Sequence, residues 1–382
     1  MKNSIILLLL FFISSFSYGQ YSDSITIKTP KYVKYLDFRF ENGVMMGDGT
    51  DLGDQLVNAS YYNGLDFRLG FRVSNPDNVY SNVYRRPIIG LGVYSSTFHN
   101  EDIGKPDAIY FFMTMPFRFE KAKKLTFSYS AAFGISYNFN AYDSIDNPAN
   151  LFIGSEKNCY VHLGFLLNYK IGKRLALNGT VGFKHFSNGS LQQPNKGINL
   201  IPLTLGVSYK LTEQPEVLLE RREIPKYIRH NLWNVTLSAG SKNYYSTDDK
   251  NHLKMVLTTN YLRQISYKYR VGIGLDFFYS ADAEARNNSD DQSAFSKAFS
   301  YAVVGSWEWA ITEHLYVPLG IGFYLKRNTE NDERNFYYER AGIRYRFNSG
   351  IHTGLTIKAH GGVADIFEWT VGYTFKHDPN KY

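Results

Sequence analysis

The sequence predicts an all-β protein, an antiparallel β-barrel of the outer-membrane type, and three observations support this prediction. The 382 residues include 31 Tyr and 28 Phe, whereas charged residues make up only 20%. The mean hydropathy is nevertheless slightly polar, at −0.31. Strand-like runs alternate apolar and polar residues, so that one face would contact lipid and the other would line an interior.

The first residues have the layout of a secretory signal peptide. A short start containing Lys2 is followed by an apolar run from Ile5 to Ile13, and small or polar residues continue to Gln20. The apolar run is far shorter than the ~20 residues that a membrane-spanning helix requires. We therefore expect residues 1–19 to be a signal peptide, cleaved near Gly19-Gln20, that directs export of the chain.

Eight candidate strands follow in the first half of the chain, separated by Gly, Asn, Asp and Pro residues. Most are long enough for the 9–11 residues of a tilted membrane strand. Within the run from Ile109 to Phe119, aromatic and aliphatic residues recur at every second position, which is the period of a strand. The predicted strands are Lys34–Phe40, Gly64–Val73, Pro87–Phe98, Ile109–Glu120, Lys124–Phe139, Cys159–Ile171, Leu175–Ser187 and Leu200–Leu211.

A charged stretch interrupts this pattern, and a second group of about eight strands begins at Leu232. The others are Leu253–Ile265, Tyr267–Ser280, Ser300–Ile311, Leu315–Lys326, Phe336–Phe347, Ile351–His360 and Phe367–Phe375. The interruption favours two eight-stranded barrels in tandem over the alternative, a single barrel of about sixteen strands. We therefore expect a first barrel at 20–211, a linker or short helix at 212–230, and a second barrel-like half at 231–382.

Several classes of site are not indicated. Cys159 is the only cysteine, so a disulfide framework within the chain is excluded, and we interpret it as a small buried side chain. The sequence contains no phosphate-binding loop, zinc-ligand spacing or nucleic-acid signature, so we expect no metal, no organic cofactor and no nucleic-acid partner. The formal charge of +7 suits a neighbourhood of anionic lipid head groups.

The most informative segment contains a histidine and a serine two residues apart. His185 and Ser187 lie at i and i+2 of a predicted strand, so their side chains point to the same face. An imidazole that leans along the strand can then reach the hydroxyl, which is the minimum arrangement for nucleophilic catalysis. Asn188-Gly189-Ser190 ends the strand, and Pro194-Asn195-Lys196-Gly197 is a strong turn signal before the next one.

This segment resembles the outer-membrane lipid A 3-O-deacylases, also called acyloxyacyl hydrolases. The resemblance is carried by His185-Phe186-Ser187-Asn188 together with Pro194-Asn195-Lys196-Gly197-Ile198. It implies an eight-stranded barrel with its catalytic face turned outward into the membrane. It also implies hydrolysis of an ester-linked acyl chain of lipopolysaccharide.

The resemblance implies a role for each matching residue. Ser187 would be the nucleophile and His185 its general base. Asn188 would help to hold the oxyanion, with the Gly189 N–H, provided that the strand bends there. The family has a glutamate directly after the Gly-Ile pair, where this chain has Asn199. An asparagine oxygen can accept the imidazole N–H, but it cannot stabilise the imidazolium by charge.

The second half carries a cluster of its own. His360 is followed by two glycines, and the carboxylates of Asp365 and Glu368 come soon after. Gly362 stands where a serine would be needed, so we interpret this cluster as mainly structural, with a bulge or tight bend at the glycines. A lesser alternative is that Asp365 or Glu368 supports function across the two halves.

The leading hypothesis is therefore an outer-membrane esterase of a Gram-negative bacterium that acts on lipid A, with lipopolysaccharide and outer-membrane lipids as its partners. The main alternative is a non-catalytic barrel, either a pore or a scaffold. A third reading keeps the esterase chemistry but assigns phospholipids as the substrate.

Overall fold

The structure is a computed structural model that describes residues 30–119, 124–212, 222–246, 250–281 and 296–377. The expected signal peptide at 1–19 and residues 213–221 of the expected linker lie outside the described residues. Linker residues 222–230 form neither helix nor strand.

Strands β1 to β8 close into the first barrel. Each strand pairs antiparallel with the next, and β1 also pairs with β8. In order, the strands are Tyr32–Met46, Asn63–Val73, Ile88–Thr97, Gly104–Pro116, Leu125–Phe139, Asn158–Lys170, Leu175–Ser187 and Ile198–Lys210. Two short helices lie in its loops, α1 at Asp51–Asn58 and α2 at Val79–Val83.

Strands β9 to β16 close into a second barrel of the same kind, in which β9 pairs with both β10 and β16. They are Asn231–Asn243, Asn251–Gln264, Tyr269–Ser280, Phe299–Ala310, Leu315–Lys326, Tyr337–Arg346, Ile351–His360 and Val363–His377. A 3₁₀ turn at Thr329–Asn331 lies between β13 and β14. The prediction of two tandem eight-stranded barrels is confirmed, and the alternative of a single ring of sixteen strands is wrong.

The strands differ from the predicted ones mainly at their ends. β1 continues to Met46, six residues beyond the predicted end at Phe40, because its last residues pair with β8 as far as Asn199. Polar residues such as Glu41 interrupt the apolar alternation there, yet inside a barrel they lie on the interior face of the strand.

The helices α1 and α2 were not predicted from the sequence. Helix α1 begins after Thr50, whose hydroxyl accepts a hydrogen bond from the Gly53 N–H at 3.2 Å and so caps the helix. Neither helix in the described part of the chain is long and apolar enough to cross a membrane.

Side chains fill the interior of the first barrel. Arg68, Tyr110, Tyr160 and Lys184 are among the largest fully buried side chains, and Lys184 forms a salt bridge with Glu41. The outward positions of the same strands carry exposed Phe, Leu, Ile and Val side chains. Because charged groups lie inside and apolar groups lie outside, the wall has the polarity of a barrel surrounded by lipid.

The two barrels contact each other at both ends. Near one end, the Tyr84 hydroxyl beyond α2 donates to the carbonyl of Ala310 at the close of β12, at 2.5 Å. Near the other end, Ser190 in the loop between β7 and β8 bonds to Ala364 of β16. The described residues from Lys31 onward belong to one compact unit. The loop that carries the Asn188-Gly189-Ser190 segment is therefore part of the contact between the barrels.

Candidate active site

The candidate site lies on the hairpin formed by β7 and β8. His185 pairs directly with Asn199 across the ladder, and Phe186 pairs with Ile198. Burial alternates along β7, so that Lys184 and Phe186 point into the barrel while Phe183 and His185 lie on the outer side. This alternation places His185 on the wall that faces lipid.

The His185 ring is fixed on both sides. Its Nδ1 lies 2.7 Å from Asn199 Oδ1, and its plane stacks on Phe183 at 6.4 Å between ring centroids. Gly197 closes the far side: its φ is +77°, and a Cβ added there would lie 2.7 Å from Cε1 of the ring. When Nδ1–H donates to Asn199, the Nε2 lone pair of the neutral ring is left to accept a proton.

The Ser187 hydroxyl is buried and bonded to Asn195. It accepts from Asn195 Nδ2 at 3.0 Å and from the Gly189 N–H at 3.2 Å, and it lies 3.3 Å from Asn195 Oδ1. Ser187 as a whole is only 5% exposed.

Asn188 holds the loop together. Its Nδ2 donates to Ser155 Oγ at 3.0 Å and to the Gln192 carbonyl at 2.9 Å, so both amide hydrogens are used. Its backbone N–H donates to Asn195 Oδ1 at 3.1 Å. The strand ends at Ser187, and Gly189 has a left-handed φ of 64°. The chain therefore bends where the expected oxyanion role of Asn188 needs it to bend, but the side-chain amide of Asn188 has other partners.

Of the four predicted site residues, the structure brings His185 to Asn199, and it brings Ser187 and Asn188 to a common partner, Asn195. Among the residues that the structure describes, the Ser187 hydroxyl bonds to Asn195 and Gly189, and the His185 ring is not one of its partners. The transfer of a proton from Ser187 to His185 stays a prediction. Such bonds are often loose without substrate and tighten when it binds.

Asn195 is the site residue to which the sequence reasoning gave no role. A signal was present, because Asn195 stands in the Pro-Asn-x-Gly turn of the quoted motif. A side-chain amide carries a donor and an acceptor, so one asparagine can bond both a hydroxyl and a backbone N–H. The sequence could not show that the turn folds back onto Ser187.

A salt bridge ties the hairpin to the loop between β1 and β2. Lys196 Nζ lies 2.5 Å from Asp48 Oδ2, and Asp48 also accepts hydrogen bonds from the backbone and hydroxyl of Thr50. Burial acts to raise the pKa of Asp48, but the hydrogen bonds from Lys196 and Thr50 and the charge of Lys196 together hold this pKa below its usual value. Asp48 is thus held as a carboxylate beside the candidate site.

The cluster of the second half lies inside the second barrel. His360 Nε2 is 3.0 Å from the Tyr324 hydroxyl, and Asp365 forms salt bridges with three lysines. Glu368 bonds instead to Arg340 and Thr356. Gly361 and Gly362 have positive φ and form the tight turn between β15 and β16.

No group of three or more His, Cys, Asp or Glu side chains within the described ranges is placed to hold a metal ion. What the hairpin offers is a hydroxyl, an imidazole oriented by an amide oxygen, and several N–H donors beside the hydroxyl. These are the parts needed for acyl transfer.

Comparison with known proteins assigns a family to each barrel. Residues 66–208 match the family model of lipid A 3-O-deacylase, and residues 231–377 match the model described as acyloxyacyl hydrolase, C-terminal domain. Together the two matches cover most of the chain. No match was found among the curated proteins.

Three of the similar solved structures are outer-membrane proteins of low identity. An outer-membrane channel from Pseudomonas putida F1 is 11% identical, with 94% of this chain and 100% of that chain covered and a TM-score of 0.18. Omp33 from Acinetobacter baumannii is 7% identical, with 91% and 98% covered and a TM-score of 0.16. The translocator domain of the autotransporter NalP from Neisseria meningitidis is 10% identical, with 98% and 97% covered and a TM-score of 0.20.

Proposed function

Because this chain belongs to the lipid A 3-O-deacylase family through its first barrel and carries an acyloxyacyl hydrolase C-terminal domain as its second, we propose that it is an outer-membrane esterase. It hydrolyses an ester-linked acyl chain of lipid A, with Ser187 as nucleophile and His185 as general base. We further propose that the chain comprises a signal peptide at 1–19, a deacylase-like barrel at 20–211, a linker at 212–230 and a second barrel at 231–382.

One observation carries the proposal: the 2.7 Å contact between His185 Nδ1 and Asn199 Oδ1, next to Ser187 on the lipid-facing wall. A hydrogen bond at Nδ1 fixes the tautomer that leaves Nε2 free as a base. Exposed apolar side chains at Val181 and Phe183 extend the same face into the membrane. An acyl chain lying along this wall would bring its ester to the level of Ser187.

The reaction would proceed in two steps. The Ser187 hydroxyl turns from Asn195 toward the His185 ring, gives its proton to Nε2, and attacks the ester carbonyl. The bond to the sugar oxygen breaks, that oxygen takes the proton from His185, and the acyl group stays on Ser187. Water, deprotonated by His185, then attacks the acyl-enzyme. The bond between the acyl group and Ser187 Oγ breaks, Oγ takes the proton back from His185, and a free fatty acid leaves.

The donors beside the Ser187 hydroxyl would stabilise the oxyanion. The Gly189 N–H and Asn195 Nδ2 both lie within 3.2 Å of Oγ, so they are close to where a carbonyl oxygen bound there would gain charge. Asn188 supports this role indirectly, because its side chain holds the loop through Ser155 and Gln192.

A pore is not favoured as a second function. Arg68, Tyr110, Tyr160 and Lys184 are fully buried within the first barrel, and a conducting barrel needs a water-filled lumen in their place. Phospholipid as the substrate would use the same chemistry, and the products separate the two cases.

The test is lipid analysis with the wild-type protein and its Ser187→Ala variant. In wild-type outer membranes we expect lipid A to lose the mass of one acyl chain and free fatty acid to appear, and in the variant we expect neither. Retarded gel mobility after heating would show that the variant barrel is folded. Equal fatty-acid release by the folded variant would remove Ser187 from the mechanism, and release from phospholipid alone would replace the substrate.

A further inference from the structure

The loop of residues 188–193, which follows Ser187, is bonded to the second barrel. The Ser190 hydroxyl donates to the Ala364 carbonyl of β16 at 2.8 Å, and the Asn243 N–H of β9 donates to the Ser190 carbonyl at 3.0 Å. Gln193 Nε2 lies 3.4 Å from the Asn243 carbonyl. Two adjacent strands of the second barrel therefore hold one loop of the first.

Phe367 closes the same contact by packing. It lies on the outward face of β16, where Trp369 is 72% exposed and Val371 is 54% exposed, yet Phe367 is half-buried. The difference is due to Gly189, which rests on the Phe367 ring so closely that any Cβ at position 189 would overlap it. The aromatic side chain thus faces the loop and not lipid.

The loop has a conformation that requires outside support. Gly189 and Ser190 are both left-handed, with φ of 64° and 68°. This region is unfavourable for a residue with a Cβ and persists where surrounding contacts enforce it. For Ser190 those contacts come from the second barrel, which bonds both its hydroxyl and its carbonyl.

The supporting face of the second barrel is itself anchored from within. Asp365 is the extra residue of a β-bulge, since Lys358 pairs with Ile366 and Ala359 with Ala364. A bulge redirects a side chain, and here the carboxylate points inward. There it meets three buried lysines, Lys242 at 2.6 Å, Lys358 at 2.9 Å and Lys254 at 3.4 Å.

These interior contacts flank the residues that hold the loop. Asp365 directly follows Ala364, and Lys242 directly precedes Asn243. The salt bridge between Lys242 and Asp365 therefore joins β9 and β16 next to the two residues that bond Ser190.

We infer that Phe367 is a positioning residue for ester hydrolysis at Ser187, so that the second barrel acts as a rigid support for the catalytic loop of the first. The inference rests on the proposed function, and it gives the second barrel a task within it. Phe367 touches neither substrate nor the reacting atoms; it acts through Gly189, whose N–H donates to the Ser187 hydroxyl.

The expected consequence concerns turnover more than binding. Loss of the ring lets Gly189 move, and with it the N–H beside the nucleophile. A displacement of about 1 Å at a reacting group can cost about 100-fold in rate. The lipid-facing surface that binds acyl chains is unchanged, so KM should change little.

The experiment uses the full-length protein in detergent micelles, with purified lipid A as substrate. It compares wild type, Phe367→Ala, Phe367→Leu and the matched control Trp369→Ala. The control removes an aromatic ring from the same face of the same strand without touching the loop. Hydrogen exchange of residues 188–197 measures the support of the loop independently of activity.

We expect Phe367→Ala to lower kcat about 10- to 100-fold with little change in KM and to speed exchange in the loop. Phe367→Leu should restore most of both, and Trp369→Ala should match wild type. If Phe367→Ala and Trp369→Ala had equal kcat or equal hydrogen exchange in the loop, the inference would be wrong. Hydrolysis of lipid A by the wild-type protein would still support the proposed function in that case. If the wild-type protein did not hydrolyse lipid A, the proposed function would be refuted, and the positioning role of Phe367 in that reaction would be refuted as well.

Discussion

At the scale of single residues, Asn195 determines the geometry of the candidate site. Its side-chain amide contacts the Ser187 hydroxyl and the backbone N–H of Asn188. The hydroxyl must leave this partner to reach the His185 ring. In the proposed mechanism this is the resting arrangement, in which the Ser187 hydroxyl is hydrogen-bonded to Asn195 and the His185 ring is already oriented by Asn199.

The resemblance to the lipid A 3-O-deacylases implies a glutamate where this chain has Asn199, and this difference leads to a prediction. Asn199→Glu should raise kcat about 10-fold or more, because a carboxylate beside Nδ1 stabilises the imidazolium that forms when Ser187 attacks. The measurement is the rate of fatty-acid release from lipid A at neutral pH.

A companion variant separates charge from orientation. Asn199→Leu removes the oxygen that lies 2.7 Å from Nδ1, so it should lower kcat below the wild-type value. If leucine and glutamate both left the rate of fatty-acid release unchanged, Asn199 would have no part in orienting the base.

At the scale of elements, the β7–β8 hairpin is attached to the loop between β1 and β2 by Lys196 and Asp48. The pKa of Asp48 is lowered in the folded protein, so the pair stabilises the fold above the unfolded-state pKa, and this stabilisation is lost as pH falls through the folded pKa. Because Lys196 is 38% exposed, the pair should contribute at most about 1 kcal/mol.

We therefore predict that Asp48→Asn lowers the free energy of unfolding at pH 6, and that the difference from wild type begins to shrink as pH falls below about 4 and disappears once pH is below the lowered pKa of the folded protein. Urea unfolding in detergent at several pH values measures it. Asp146→Asn is the matched control, since Asp146 is exposed and has no ion pair within the part of the chain that the structure describes. A difference for Asp48→Asn that grew as pH fell would contradict the assignment.

At the scale of the whole molecule, the described residues of the two barrels contact each other near two opposite ends, and the candidate site lies at one of them. At the other end, the Tyr84 hydroxyl bonds to the Ala310 carbonyl, its ring packs near Trp309, and Lys268 Nζ lies 4.8 Å from the ring centre. This contact couples the barrels without reaching the β7–β8 loop.

Tyr84→Phe should consequently lower stability but not activity. Removal of the hydroxyl leaves a buried carbonyl short of one partner, which costs about 1 kcal/mol. Thermal unfolding of the full-length protein, together with kcat on lipid A, measures both effects. A fall in kcat comparable to that expected for Phe367→Ala would show that the two ends of the interface are not independent.

Much of the architecture was predictable from sequence, because the period of two is a local property. The bounds of β7, β13 and β15 agree with the predicted runs residue for residue. The ends of β1 and β16 did not follow from the pattern. At these ends, polar residues such as Glu41 and Asp365 interrupt the apolar alternation. They are nevertheless part of the strands, because the strands pair with long neighbours and the charged groups lie inside the barrel.

The sequence by itself determined that each strand has one face for lipid and one for a polar interior, and that His185 is followed at i+2 by Ser187. Only the tertiary structure decided that Ser187 rests on Asn195 and that Gly189 lies against Phe367. The physical reason is distance along the chain. Strand alternation is set by adjacent residues, whereas the loop conformation depends on groups eight and more than 170 positions away, brought close only by closure of two barrels.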